Sequence, residues 1–164
     1  MSGESARIVD QLTRAFDGDP WYGSPLLKIL DGVTAAQASA RPIAVAHTIW
    51  ELVLHITGWK GEVMQRLRGQ PAGDPPEGDW PKPAGTDEAA WQAALTRLRQ
   101  VHQALVREVA AASEEQLSGA VRDERTPALG TGLTQWQTLY GIVQHDVYHT
   151  GQISLLKKAV SDKR

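Results

Sequence analysis

The sequence predicts an all-α protein, a four-helix bundle with one or two additional short helices. Four runs place apolar residues three and four apart, the period of a helix with one buried face. Connections dense in proline, glycine and small polar residues separate those runs. At 164 residues the chain is the size of one domain. A chain of that size buries about 68–70% of its unfolded surface around a single core, with no need of disulfides or a structural metal. One helical domain over residues 1–164 is therefore expected.

The first run covers residues 5–16, where Ile8, Val9, Leu12, Ala15 and Phe16 form an inward stripe and Gly18, Asp19 and Pro20 end it. The stretch WYGSPLLKILDGV holds a short helix, with Ser24 as cap, Pro25 in the first turn and Gly32 at the end. Trp21 and Tyr22 precede it and are placed to plug one end of the bundle. Residues 34–46 are small and polar and read as a connection, in which Arg41-Pro42 favours extended backbone. The second long helix, residues 47–68, carries Leu52, His55, Ile56, Trp59, Val63, Arg66 and Leu67 at helical spacing.

Residues 70–85, QPAGDPPEGDWPKPAG, are too irregular for an element and longer than most connections, which marks them as functional or mobile. Trp80 in their middle is either a lid or a tether docking the loop to the bundle. Thr86 is expected to cap the third helix, with Asp87 and Glu88 at the positive end of its dipole. Trp91, Leu95, Leu98, Leu105 and Val109 then face inward as far as Ala112. Ser113, Glu115 and Gln116 suggest a short capped turn, and residues 119–132 another long connection. Arg122 and Arg125 within it are either solvated loop charges or, if the site binds an anionic substrate, the cations that would meet it. Thr134 caps the last helix, whose inward positions are Leu139, Ile142, Val143, His145, His149, Ile153 and Leu156. The long connections leave both up-and-down and crossover bundles open.

The chemistry is concentrated in QHDVYHTGQISLLKK, residues 144–158, where His145 and His149 stand four apart. Helical geometry puts the two imidazoles about 40° apart on one face, one turn above each other, so they can grip one metal ion together. Such a site needs at least a third ligand. The chain has no cysteine, and His55, mid-helix in the apolar run WELVLHITGW, is the best candidate. A histidine pair at this spacing also arises by chance, so the pattern alone leaves a metal site and a set of core histidines both open.

Glu51 and Glu62 lie one turn before and two turns after His55, about 40° and 20° off its direction. Either could approach the site, or be solvent-facing or ion-paired. Gln152 returns to nearly the direction of His145 and is suited to orient a metal-bound water. Tyr148 can donate a hydrogen bond nearby or serve helix packing. Asp146 points about 100° away from His145, so this is not the H-E-x-x-H of zinc proteases. His47, about 80° around the helix and about 12 Å along it from His55, reads as a helix-terminal histidine contacting backbone or solvent. His102, on the third stripe with no second ligand beside it, reads as a core or edge histidine with a hydrogen-bond partner.

The formal charge of -2, with both signs interspersed, offers no basic stripe to track phosphates, so nucleic acid is not an expected partner. Without cysteine there is no thiolate metal site, cysteine nucleophile or disulfide framework. The opening MSGESARIVD carries charge where a signal peptide needs an apolar core, and no apolar run approaches the roughly 18 residues of a membrane span. A cytoplasmic protein is the expectation.

Through HTIWELVLHITGWKGEVMQRLRG (residues 47–69), the tryptophan-bearing third helix from Asp87, and YGIVQHDVYHTGQISLLKK (residues 140–158), the chain resembles the DinB/YfiT-like metalloenzyme superfamily of helical bundles. The resemblance spans nearly the whole chain and implies His55, His145 and His149 as ligands of a divalent metal. Imidazole ligands suit zinc or nickel. Members range from thiol-dependent transferases and isomerases to proteins with no assigned reaction. The resemblance therefore implies a metal-dependent enzyme, either a hydrolase or a low-molecular-weight-thiol S-transferase, acting on a small molecule. Any thiol would be a cosubstrate, since the chain supplies none. The alternative is a dimerising bundle that binds metal or a small molecule without turnover. A homodimer is expected from the resemblance and from six tryptophans. Two of them, Trp50 and Trp59, are nine residues apart, about 180° around one helix.

Overall fold

The computed structural model of the protein describes residues 3–123 and 133–161. Among these residues lie seven α-helices. Four are long: α1 (Glu4–Phe16), α4 (Ile49–Leu67), α5 (Glu88–Ala111) and α7 (Gln135–Ser161). Three are short: α2 (Leu26–Leu30), α3 (Ala35–Ser39) and α6 (Glu114–Ser118). The bundle therefore has one more short helix than expected. It is α3, started by a capping box in which Thr34 accepts from the Gln37 N–H and Gln37 reaches back to Thr34.

Several caps fall one residue from the expected place. Pro25, not Ser24, is the N-cap of α2, because its fixed φ suits the extended cap position and the helix begins just after it. Helix α4 starts at Ile49 behind a Thr48–Glu51 capping box. The carboxylate of Asp87, rather than Thr86, accepts from the Ala90 N–H to start α5. Thr134 pairs with Gln137 at the head of α7 as expected.

The packing decides between the two topologies. Helix α4 lies against α5 and α7, and α1 lies against the same two. The links α1–α4 and α5–α7 therefore cross the bundle's diagonals. The core has two apolar halves. One gathers Leu26, Trp50, Ile56, Trp91, Leu98 and Ile153, and the other Leu12, Val63, Leu67, Leu105, Leu139 and Ile142. Along the chain α4 and α5 both run from the first half to the second, while α7 runs the opposite way, as does α1 from Ile8 to Phe16. Thus α4 and α5 are parallel neighbours. The connection between them must travel back along α4, about 28 Å for its 19 residues. That return path explains the length of the proline-rich loop.

Between the two halves lies a polar layer. Lys60 on α4 and Asp146 on α7 form an ion pair, with side chains 0% and 1% exposed. The Lys60 ammonium also sits 5.6 Å from the centre of the Phe16 ring. His102 on α5 stacks on Phe16 at 3.7 Å.

The tryptophans divide by environment. Trp50 and Trp91 meet at 5.2 Å in the first half of the core, and the Trp91 indole donates to the Val33 carbonyl at 2.7 Å. Trp21 is fully exposed, so it does not plug the bundle's end. Tyr22 only leans on α1, its hydroxyl donating to the Ala15 carbonyl at 3.4 Å. Among the described residues no helix is long and apolar enough to cross a membrane.

Candidate metal centre

His55 faces inward on α4 because the helix is flanked by core on both sides, with Leu52 and Ile56 buried beside it. His145 and His149 rise from one face of α7. Their two rings meet edge to face at 4.4 Å, and each lies within 5 Å of the His55 ring. One ring nitrogen from each of the three lies within 4.8 Å of the others, the only such metal-competent group of three among the described residues.

Neighbouring groups determine which nitrogen is free. A carbonyl can only accept, so the 2.6 Å contact from His55 Nδ1 to the Asp79 carbonyl puts the proton on Nδ1. Nε2 then carries the lone pair, and it lies 2.9 Å from His145 Nε2. His149 Nδ1 sits 2.6 Å from the Gln152 side-chain oxygen, which fixes its tautomer the same way. A second partner that orients a ligating imidazole is the usual support of a metal site. The group thus fits a divalent ion on chemical grounds: nitrogen donors, two with their far side already held. His145 Nδ1 is buried and has no partner among the described residues.

Burial also sets the charge. It pushes the His145 imidazole down to about 3, helped by His149, His55 and Lys60 nearby. Burial lowers His55 and His149 too, against the opposing pull of the Asp79 carbonyl and Gln152 respectively. The cluster is neutral in neutral water, the form that ligates a metal.

The returning loop completes the site. At its start Glu62 accepts from the Gly73 N–H at 2.7 Å, and Arg66 donates both to Glu62 and to the Gly73 carbonyl. Pro75 then lies so close to Gly58 that a Cβ there would meet it at 3.2 Å. A turn with Gly78 at φ +87° follows, a conformation that favours glycine. This brings Asp79 onto His55, and the Asp79 carboxylate accepts from the Trp59 indole at 2.7 Å. Trp80 stacks on His55 at 3.9 Å and on His47 at 3.5 Å, each nearly parallel. Two parallel rings that close can fit only on opposite faces, so the indole is sandwiched.

Trp80 is therefore both tether and cover. His47 does more than contact backbone or solvent, since it forms the outer layer of this stack. Glu51 and Glu62 are the ion-paired residues of the two readings offered for them. Glu51 holds Arg41 and the Thr48 N–H, and Glu62 anchors the loop. The Gln152 side-chain oxygen orients His149, and Tyr148 packs its ring against His149 at 5.0 Å. His102 differs from expectation, for its Nδ1 is buried with no partner among the described residues. The Arg122 carbonyl accepts from the Ala72 N–H, and Arg125 lies outside the described residues.

A family model for the DinB superfamily matches residues 24–153, a stretch that contains all three histidines. The chain belongs to the DinB superfamily. Comparison with curated proteins and with solved structures found no match.

Sequence reasoning missed Asp79 and Lys60 in this DinB domain. Asp79 acts on His55 through its backbone carbonyl at 2.6 Å, which any residue type supplies, and through its carboxylate at 3.3 Å. Lys60, by contrast, left a signal: with Ile56, Val63 and Leu67 it occupies one apolar stripe at spacings of four, three and four. Asp146 sits four residues after Ile142 and seven before Ile153 on the facing stripe. Opposite charges on two apolar stripes point to a buried pair.

Proposed function

We propose that this DinB protein is a metal-dependent enzyme, a hydrolase or a low-molecular-weight-thiol S-transferase acting on a small molecule, with zinc or nickel held by His55, His145 and His149. The observation that supports it is the convergence of three neutral imidazoles, two of them held from behind by Asp79 and Gln152. A divalent ion there would supply a Lewis acid and lower the pKa of a water or thiol toward neutrality. Asp79 and Gln152 keep two imidazoles in the ligating tautomer, and Trp80 excludes water from one face of His55. With no cysteine in the chain, a thiol substrate would come from solution. We place the protein in the cytoplasm and expect a homodimer. The fully exposed Trp21 supplies apolar area for such an interface, and light scattering near 17.9 kDa at all concentrations would count against it.

The test is metal analysis after equilibrium dialysis against zinc or nickel. The wild type should hold one ion per chain, and His55→Ala none, with its helical circular dichroism retained. Full metal content in that variant would remove His55 from the site. Selective uptake of magnesium or calcium, which take oxygen ligands, would contradict the three-imidazole reading altogether.

A further inference from the structure

Beside the histidines a cleft of about 390 Å³ opens between the α3–α4 connection and the last turns of α7. It shares His149, Gln152 and Trp80 with the cluster. Leu52 and Leu156, both buried, form its inner wall. Ile43, Val45 and Leu155 form its rim, and Val45 and Leu155 are 96% and 60% exposed. Apolar side chains left in water around a concavity mark a ligand site, and this volume is at the small end of the range of about 300–1,000 Å³ for such pockets.

Its charge is as informative as its shape. Among the described residues no carboxylate, lysine or arginine lines it. Glu51, which lies 3.6 Å from the cleft-lining His47, is already paired with Arg41 and committed to the cap of α4. An ionic ligand would have to surrender its hydration without a counter-charge, which is costly in an apolar cleft. The polar groups that do face it are two histidines, Gln152 and the Tyr148 phenol, all on or near the metal-centre end.

We propose that this cleft is the substrate subsite and takes an uncharged molecule with an apolar body and one polar head directed at the histidines. The proposal rests on the metal-centre reading for the direction of the head, but not for the preference of the cleft. The Trp80 indole wall then serves both sites, stacking on His55 and flanking the ligand. The anionic substrate that Arg122 and Arg125 would suit is not what this cleft selects.

Three probes that share a phenyl ring and differ in charge separate the possibilities: benzyl alcohol, benzenesulfonate and benzyltrimethylammonium, titrated into zinc-loaded and zinc-free protein and followed by amide and indole NMR. Benzyl alcohol should shift Trp80, Val45, Gln152 and Leu155 saturably, and bind at least about tenfold tighter than either ion. Leu155→Asp, a change at an exposed rim position, should weaken it by about tenfold with zinc content unchanged. Tighter binding of either ion, shifts elsewhere on the surface, or indifference to Leu155→Asp overturns the proposal. Protein that takes no zinc yet still shows this preference would sink the enzymatic reading and leave the cleft standing.

Discussion

Two polar clusters share the same pair of helices and have opposite designs. His55 on α4 meets His145 and His149 on α7, while five residues further along α4 Lys60 meets Asp146, the next residue after His145. Both are largely buried. In the lysine–aspartate pair the charges cancel within the protein, and apolar halves of the core close over it from either end. In the histidine cluster the charges have been removed by burial instead, so lone pairs remain available, and a cleft from solvent reaches the cluster at His149. Burial by itself therefore does not mark the functional group. Unused coordinating atoms with a route to solvent do.

That contrast can be broken at either cluster. The largest effect is expected at the closed one. Lys60→Met leaves the Asp146 carboxylate buried without its partner and should cost about 3–5 kcal/mol in urea unfolding. Adding Asp146→Leu should recover most of it, because an apolar pair of similar volume suits the layer. A small loss in the single variant would mean that water reaches the layer and that the two clusters are less different than they look.

At the open cluster the effect should fall on metal rather than on stability. Gln152→Leu removes the acceptor behind His149 and should weaken zinc binding by about 10–100-fold, with the unfolding midpoint nearly unchanged. Competition with a chromogenic chelator measures it. Unchanged affinity would mean that Gln152 does not orient His149 when metal is bound.

The smallest effect, per unit of the variable, concerns pH. Burial, with a contribution from Lys60, pushes His102 down to about 3, against 6.5 for a free histidine. The unfolded chain thus takes up a proton before the folded one does. The stability this neutral histidine contributes is complete above pH 6.5 and is lost as pH falls toward 3. In that window it adds a slope of about 1.4 kcal/mol per pH unit, which His102→Leu should remove. An unaltered slope in the variant would assign the acid sensitivity to other groups.

The sequence made the four long helices readable because each carries a stripe of apolar residues over three or more turns. Helix α3 escaped because five residues show no period, although its Thr34-Ala-Ala-Gln37 capping box was in plain view. The three histidines were singled out by spacing and burial, and the fold does bring them together. The direction of the helices was not legible, and that direction shapes the site. Only because α4 and α5 are parallel does the loop return past His55 and lay Asp79 and Trp80 on it. Glu51 looked available by angle alone. Its capping role was encoded in Thr48-Ile-Trp-Glu51, a pattern that competes for the same carboxylate.

X-ray absorption at the zinc edge of loaded protein tests the central claim most directly, since it reports the ligands of the ion itself. Three imidazole nitrogens at about 2.0–2.1 Å are expected, with oxygen completing the shell. In His145→Ala the imidazole scattering should fall or the zinc be lost. A shell of oxygen alone, or one with fewer than three imidazoles in the wild type, would contradict it.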